Sequence, residues 1–529
     1  MTPYDTDVFI VGAGPTGLML ANQLARRHVR VTIVDRHGGP ARETRALGVQ
    51  ARTLEIYAHL GIVARALDLG RIAAGANVWA DGRRLARVSL GDAGEGVTPY
   101  PYILILGQDD NERIMGDRLR EQGVTVQWNT ELVACTSHAD HVAITCKEAD
   151  GTTRTSTAAW IAGCDGAHSA VRTQSGIGFP GAAYEHVFFV ADAEVTGTMV
   201  PGEVNVYLWR SGFHLFFPLR GKDHWRLVGI VPAALRARDD LTFDDIVPSL
   251  RHEAGDRLAF ARCSWFSTYR IHHRRAARFR AGRAFLLGDA AHVHSPVGAQ
   301  GMNTGLQDAY NLAWKLALVT DDEADAALLD SYEAERVPVA DRLLATTDRA
   351  FRVVISDHPL AGLLRTKVLA RLAAFGMRQP RIQAFVFRIV SQTAITYRGG
   401  PLAQSTGDLP HDAPAAGDRF PWMELALAPE GPIEDLYTRL PDTVFHLLAF
   451  GQPAPADDIG CAGLVHVHAV TADGTNRAAL ARARIPVPSF YLMRPDGHVA
   501  LCGRMLDVAA VRRYLRERVM LRDAALQDD

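Results

Sequence analysis

The 529-residue chain predicts a mixed fold, α/β and α+β: a Rossmann-type dinucleotide-binding domain, an antiparallel sheet inserted into it, and a small α/β domain at the C-terminal end. Three observations carry this. A glycine fingerprint sits between an apolar run and a helical pattern near the start of the chain. An aromatic-rich, alternating stretch fills 182–275. A segment broken by Gly and Pro at 398–421 precedes short strand and helix patterns.

The opening unit reads most clearly. Residues 8–11 form a short apolar run of the kind a buried parallel strand needs. Gly12, Gly14 and Gly17 follow as GxGxxG. The first permits a tight turn, the second lets backbone approach a pyrophosphate, and the third lets the next helix pack on the strand. That helix aims free N–H groups and its positive dipole end at the phosphates. A second apolar run, 31–34, ends in Asp35, where an acid accepts ribose hydroxyls. A second GxGxxG, at 176–181, follows polar residues and has Pro180 before its last glycine, so it reads as a loop.

The next segments follow in order. Residues 42–60 start polar and become helical; Arg45 and Arg52 either reach phosphates or a cofactor edge or pair with Glu43 and Glu55. Strands are expected at 76–80 and 84–88 around Asp81-Gly82, and a strand at 102–106 enters a helix near Gln108. Three segments, 124–128, 131–135 and 142–146, alternate like a meander. At 160–172 an apolar strand meets Asp165-Gly166, with Ser169 and Arg172 at a helix start. The 182–275 sheet is expected to have one aromatic face, either plain core or the cover of an apolar ligand pocket. The basic run 269–283 is solvated surface or a local attraction for cofactor phosphates. A second anchor, 284–303, puts Asp289 at a strand end, then a Gly- and Pro-rich loop, then a long helix from Asn303 with Leu306, Ala309, Tyr310, Ala313, Leu316 and Ala317 inward. Residues 328–336 read as a packing helix. Beyond 421, strands at 443–450, 464–470, 490–493 and 498–501 and helices at 477–483 and 508–515 suit a small α/β domain.

Bulk properties narrow the class. A net charge of −2 offers no global field for nucleic acid or anionic membranes. No apolar run is long enough to cross a bilayer, and the first residues have no basic n-region, so no secretory signal is read. The six scattered cysteines, without a CxxC, fit free thiols in a reducing cytoplasm and neither a disulfide framework nor a metal site.

GAGPTG (12–17), CDGAHSAVR (164–172) and GDAAHVHSPVGAQGMN (288–303) occur in that order. With RALGVQARTLE (45–55) and GQDDNER (107–113), they make residues 6–400 resemble the FAD-dependent aromatic hydroxylases, single-component class A flavoprotein monooxygenases of the phenol, chlorophenol and polyketide hydroxylase branch. YLMRPDGHVALCG (491–503) resembles the thioredoxin-like C-terminal domain of larger members. The resemblance implies FAD-binding parts at 1–75, 101–181 and 276–400, a substrate domain from 76–100 and 182–275, and a thioredoxin-like domain at 401–529.

It also implies roles. Gly12, Gly14 and Gly17 hold the FAD pyrophosphate, with Pro15 and Thr16 beside them. Asp35 takes the adenosine ribose, with Arg36 adjacent. Arg45 and Gln108 reach the phosphate or ribityl region, and Asp289 the ribityl chain. Pro296, Gly298, Gly301, Met302 and Asn303 line the isoalloxazine, and Asp165 and Arg172 support the step that uses NADPH or NADH. Arg45 and Pro296 stand with the catalytic candidates. The implied reaction is NAD(P)H- and O2-dependent hydroxylation of a small aromatic molecule through a flavin C4a-hydroperoxide, by a cytoplasmic monomer or homodimer. His214, Tyr207 and Arg210 are the candidates for deprotonating the substrate. Some phenol hydroxylases place an Asp where this chain has Leu47, a departure from their substrate activation. A Baeyer–Villiger oxygen insertion and a non-catalytic flavin- or ligand-binding protein are the alternatives on the same scaffold.

Overall fold

The computed structural model describes residues 4–41, 46–80, 82–209, 212–254, 257–294, 300–355, 375–376, 379–428, 431–455, 459, 461 and 463–526. Arg45, Arg210, Pro296 and Gly298 lie outside the described residues. The elements that build the site are, in chain order, strand β1 (Thr6–Val11), helix α1 (Pro15–Ala25), strand β2 (Val31–Asp35) and helix α2 (Ala51–Leu60). Strands β3 (Thr153–Gly163), β4 (Gly181–Gly197), β5 (Val204–Trp209), β6 (Gly212–Pro218) and β7 (His224–Ile230) follow. Then come helix α3 (Phe243–Glu253), strands β8 (Leu258–Arg275) and β9 (Ala284–Leu286), and helices α4 (Gly301–Thr320) and α5 (Asp330–Ile355).

The first sheet orders its parallel strands β9, β3, β1, β2 and Gln127–Trp128. β9, the Ala158–Gly163 half of β3 and Val8–Val11 of β1 are apolar and buried on both faces, as helix-covered parallel strands must be. The three motifs therefore leave the carboxyl ends of neighbouring strands, the edge where open α/β sheets bind ligands. The expected meander is corrected here. Gln127–Trp128 extends the parallel sheet beside β2, and only Glu131–Ser137 and Val142–Lys147 form antiparallel ribbons on β3.

The second sheet contains β8, β4, β7, β6, β5, Gly75–Ala80 and Arg83–Ser89. Its two faces are distinct. Phe189, Tyr207, Phe216, Trp225 and Leu227 face α3 and pack on Phe243, Ile246 and Leu250. The opposite face carries Tyr184, Phe188, Phe213 and Ile230, and its β5–β6 end meets Leu47 and Ile105 of the first domain. Aromatic residues thus stand on both faces, not on one as the sequence suggested.

A third sheet orders Gln404–Ser405, Val499–Gly503, Ser489–Met493, Phe445–Phe450 and Val465–Val470, with helices Arg477–Ala483 and Val508–Glu517. Its apolar core includes Trp314 and Leu318 of α4, so this domain shares its core with the first. No described helix is long and apolar enough to cross a membrane.

Candidate active site

The cleft is built on the turn after β1. Gly12 has φ +101°, and a Cβ there would lie 2.4 Å from the Cys164 carbonyl oxygen. One on Gly17 would lie 1.9 Å from the Gly12 carbonyl oxygen. Gly14 differs, because its Cβ would meet nothing within 4 Å. The two outer glycines are demanded by packing, and the middle one faces open space, where a diphosphate can approach the backbone. α1 starts there with Pro15 in its first turn, a position where the missing N–H costs nothing.

Asp35, at the end of β2, closes one side. It accepts the Ala13 N–H at 2.7 Å and the His37 N–H at 2.8 Å, and Arg36 beside it is exposed. Next to it, Glu112 accepts the Ala41 N–H at 2.7 Å and the Gln108 amide at 2.8 Å, and burial raises its pKa. Gln108 therefore sits at the mouth through Glu112, a carboxylate that sequence reading passed over.

Asp289 closes the other side, three strand positions away, which is roughly 14 Å at ordinary sheet spacing. Its turn is welded to α1: a Cβ on Gly288 (φ +57°) would lie 2.6 Å from Thr16 Oγ1, and one on Gly305 of α4 would lie 2.4 Å from it. The Asp289 carboxylate is reached by solvent. Yet surrounding protein raises its pKa by desolvation, partly offset by His292. The group is both wet and crowded, and its position at the strand end suits a polyol chain.

Behind the turn lies a buried network that the sequence did not reveal. Asp308 of α4 accepts the Gly288 N–H at 3.0 Å, His292 Nε2 at 2.7 Å and Arg336 Nε at 2.6 Å. Burial alone would raise its pKa, but Arg336 and His292 override that and hold it below the usual aspartate range. The available signal was an acid flanked by the inward residues Leu306, Ala309 and Tyr310. At the start of α4, Asn303 accepts the Gln50 N–H at 2.9 Å and the Thr53 hydroxyl at 2.7 Å, and donates to the Gly48 carbonyl at 2.8 Å. Met302 Sδ lies 3.3 Å from the Asn111 amide, and Gly301 lies against His294.

Asp165 accepts the N–H groups of Ala170 at 2.7 Å and Val171 at 3.2 Å, and burial raises its pKa. Arg172 donates to the carbonyls of Ala290 at 2.9 Å and Ala167 at 2.7 Å, with its guanidinium 3.9 Å over the Phe179 ring. Arg172 thus ties the Asp165 segment to the Asp289 turn. Arg52 pairs with Glu55 at 2.8 Å and donates to the Asp496 carbonyl at 2.6 Å, which answers its alternatives in favour of the ion pair.

Two candidates are corrected. His214 and Tyr207 lie on the α3 side of the sheet, because strand alternation puts them opposite Phe213 and Leu208. His214 Nε2 is 2.6 Å from Glu253, and the Tyr207 hydroxyl donates to the Thr198 carbonyl at 2.8 Å. Neither reaches the face turned toward the cleft.

A cleft with strand-end carboxylates at both ends and a glycine cradle between them fits a dinucleotide. Residues 5–347 match the family model described as "FAD binding domain". The chain belongs to this family and is an FAD-dependent monooxygenase. It is 35% identical to 6-methylpretetramide 4-monooxygenase of Streptomyces rimosus, over 94% of this chain and 90% of that protein. It is 32% identical to pentachlorophenol 4-monooxygenase of Sphingobium chlorophenolicum, over 80% of this chain and 76% of that one. Among solved structures, an anhydrotetracycline hydroxylase from Streptomyces rimosus superposes with a TM-score of 0.78 at 28% identity, covering 97% of this chain and 99% of that one. An aklavinone-11 hydroxylase in complex with FAD and aklavinone gives a TM-score of 0.78 at 25% identity, covering 98% and 99%.

Proposed function

We propose that this monooxygenase hydroxylates a planar, largely apolar aromatic molecule, phenolic or polyketide-like, held between the cleft-side face of the antiparallel sheet and the Asp289 end of the cleft. The cleft-side face of the sheet supports this. Beside the buried Tyr184, Phe188, Phe213 and Ile230 it carries Val206, Leu208, Leu215, Phe217 and Tyr269, which are only half-buried. Half-buried apolar side chains beside a cofactor cleft are what an aromatic ligand completes. Leu47 packs with Ala73, Ile105 and Val204, so no carboxylate stands where some phenol hydroxylases carry one.

Bound FAD would supply the redox chemistry, drawing two electrons from NAD(P)H so that one oxygen atom of O2 enters the ring and the other leaves as water. The chain's own residues position it. The Gly12–Gly17 turn, of Rossmann type, and the N-terminal end of α1 face the diphosphate, with Pro15 and Thr16 in the first helical turn. Asp35, with Arg36 adjacent, takes the adenosine side, and Asp289 the ribityl chain, with Gln108 alongside. Gly301, Met302 and Asn303 open a 20-residue helix whose free N–H groups and positive dipole end stabilise negative charge on the ring. Asp165 and Arg172 shape the neighbouring turn. We assign the arginines of the basic run at 269–283 the attraction for pyridine-nucleotide phosphates; burial, with Arg274 and His168, lowers the His272 pKa, so that ring adds no charge to them. The mixed sheet at 401–529, without a CxxC, supports a thioredoxin-like domain with no redox role.

The test is a panel of phenols and aromatic polyketides, scored for stimulated NADPH and NADH consumption and for oxygen from labelled O2 in the product. Stimulation coupled to a hydroxylated ring is expected. FAD-loaded protein that stays unstimulated by every aromatic compound, or that yields ring-expanded esters, overturns the reading.

A further inference from the structure

The C-terminal domain touches the cofactor cleft through one buried chain of contacts. Asp308, which holds the Gly288 N–H, is gripped by Arg336 of α5 at 2.6 Å. The same guanidinium donates to the Tyr397 hydroxyl at 3.0 Å and to the Thr304 carbonyl at 3.1 Å. Tyr397 is packed by the C-terminal domain. Its ring lies 4.3 Å from that of His498, the Arg494 guanidinium is 5.2 Å from its centroid, and its N–H donates to the Gly417 carbonyl at 2.8 Å. Arg494 in turn grips Glu335, the neighbour of Arg336 on α5, at 2.6 and 3.0 Å.

Every side chain on this path is buried. None can trade its partner for water, so a shift at one end has to be absorbed by the next group. The path ends on a glycine turn with positive φ, closed by Thr16 and α4, immediately before Asp289.

We propose that the C-terminal domain is a positioning element for the flavin: through Tyr397, Arg336 and Asp308 it fixes the Gly288–Asp289 turn. This rests on Asp289 facing the bound cofactor. Tyr397 and Asp308 are positioning residues and touch no reacting atom. They give the domain a task that needs no redox centre.

The test uses the full-length protein, with the FAD dissociation constant and the visible circular dichroism of the bound flavin at saturating FAD as readouts. Tyr397→Phe carries it, because it removes one hydroxyl from a packed ring. It is expected to weaken FAD about five- to tenfold and to alter the flavin dichroism. Asp308→Asn is expected to act in the same direction, and the double variant to be less than multiplicative. Asp442→Asn, in the same domain but off this path, is expected to lower the melting temperature and leave both flavin readouts unchanged. If Tyr397→Phe keeps the constant within twofold and the dichroism intact while Asp308→Asn changes both, the domain does not position the turn and the proposal is overturned. Asp289→Asn tests the underlying reading by itself: unchanged FAD affinity there removes the cofactor from this turn.

Discussion

The two domains that flank the nucleotide-binding core are joined to it in different ways. The C-terminal seam adds buried ion pairs to the apolar core it shares with α4. Glu335 is held by Lys315 at 2.8 Å and Arg494 at 2.6 Å, Glu55 by Arg52 at 2.8 Å and by Arg419, and Asp442 by Arg26 at 2.8 Å, with every carboxylate buried. The seam to the antiparallel sheet has an apolar, partly wet centre, with Leu47, Ala73 and Ile105 against Val204, Val206 and Phe217, and polar contacts at its edges, where Arg71 donates to the Leu219 carbonyl at 2.8 Å and Arg275 pairs with Asp341 at 2.6 Å. Directional bonds between buried charges fix one geometry, because a displaced partner leaves an uncompensated charge. Apolar contacts are non-directional and slide at modest cost. The fixed seam supports the cofactor, and the yielding one borders the space a substrate must enter.

The contrast predicts an ordered set of losses. Arg494→Met strips Glu335 and Asp496 of their shared partner and is expected to cost about 3–5 kcal/mol, the range for breaking a buried pair. Thermal unfolding of the FAD-loaded protein would register it as the largest drop of any single seam variant. A loss below about 1 kcal/mol would mean that the charges are not dry.

Acid should separate the seams next. Burial alone would raise Glu335, but Arg494 and Lys315 hold it at about 2, below the ordinary glutamate value of 4.5. A carboxylate depressed in the folded state contributes stability above pH 4.5 and loses it as pH falls toward 2, which amounts to about 3 kcal/mol for this group. Glu55, Asp442 and Asp496 are displaced in the same direction. Urea midpoints measured between pH 6 and pH 3 should therefore fall, and Glu335→Gln should flatten part of that fall while lowering the starting value. The cluster around Leu47 contains no titratable side chain. Leu47→Ala is expected to cost about 2–3 kcal/mol by cavity formation, with the same loss at pH 6 and pH 8. A loss that varied with pH would show that charge reaches this cluster too.

Much of the first domain was legible because its signals are local. The Gly12, Gly14 and Gly17 spacing is read from one short stretch, in which a Cβ on Gly17 would strike the nearby Gly12 carbonyl, and Asp35 and Asp289 follow apolar runs that can only be buried strands. The ionic seam was not legible. Arg494 and Glu335 are 159 positions apart, and nothing near either says that it will be dry. Residues 328–336 read as packing because the apolar stripe was visible, while the partners that let Glu335 and Arg336 be buried were not. His214 and Tyr207 failed for a subtler reason. Alternation shows that His214 and Leu215 face opposite ways, but not which way the cleft lies; that depends on where α3 docks.

The same point gives the smallest expected effect. Tyr207 is one of the three residues the sequence offers for deprotonating the substrate. In the structure its hydroxyl donates to the Thr198 carbonyl on the α3 side, and burial raises its pKa out of the range a base could use near neutrality. Tyr207→Phe removes one hydrogen bond and leaves one carbonyl with a lost donor, a change worth about 1 kcal/mol. Turnover and KM should stay within twofold of the parent, because neither seam moves and the cleft-side face of β5 is untouched. A pH–rate profile that lost a limb in this variant would return Tyr207 to the active site and reverse the assignment of the two faces of the sheet.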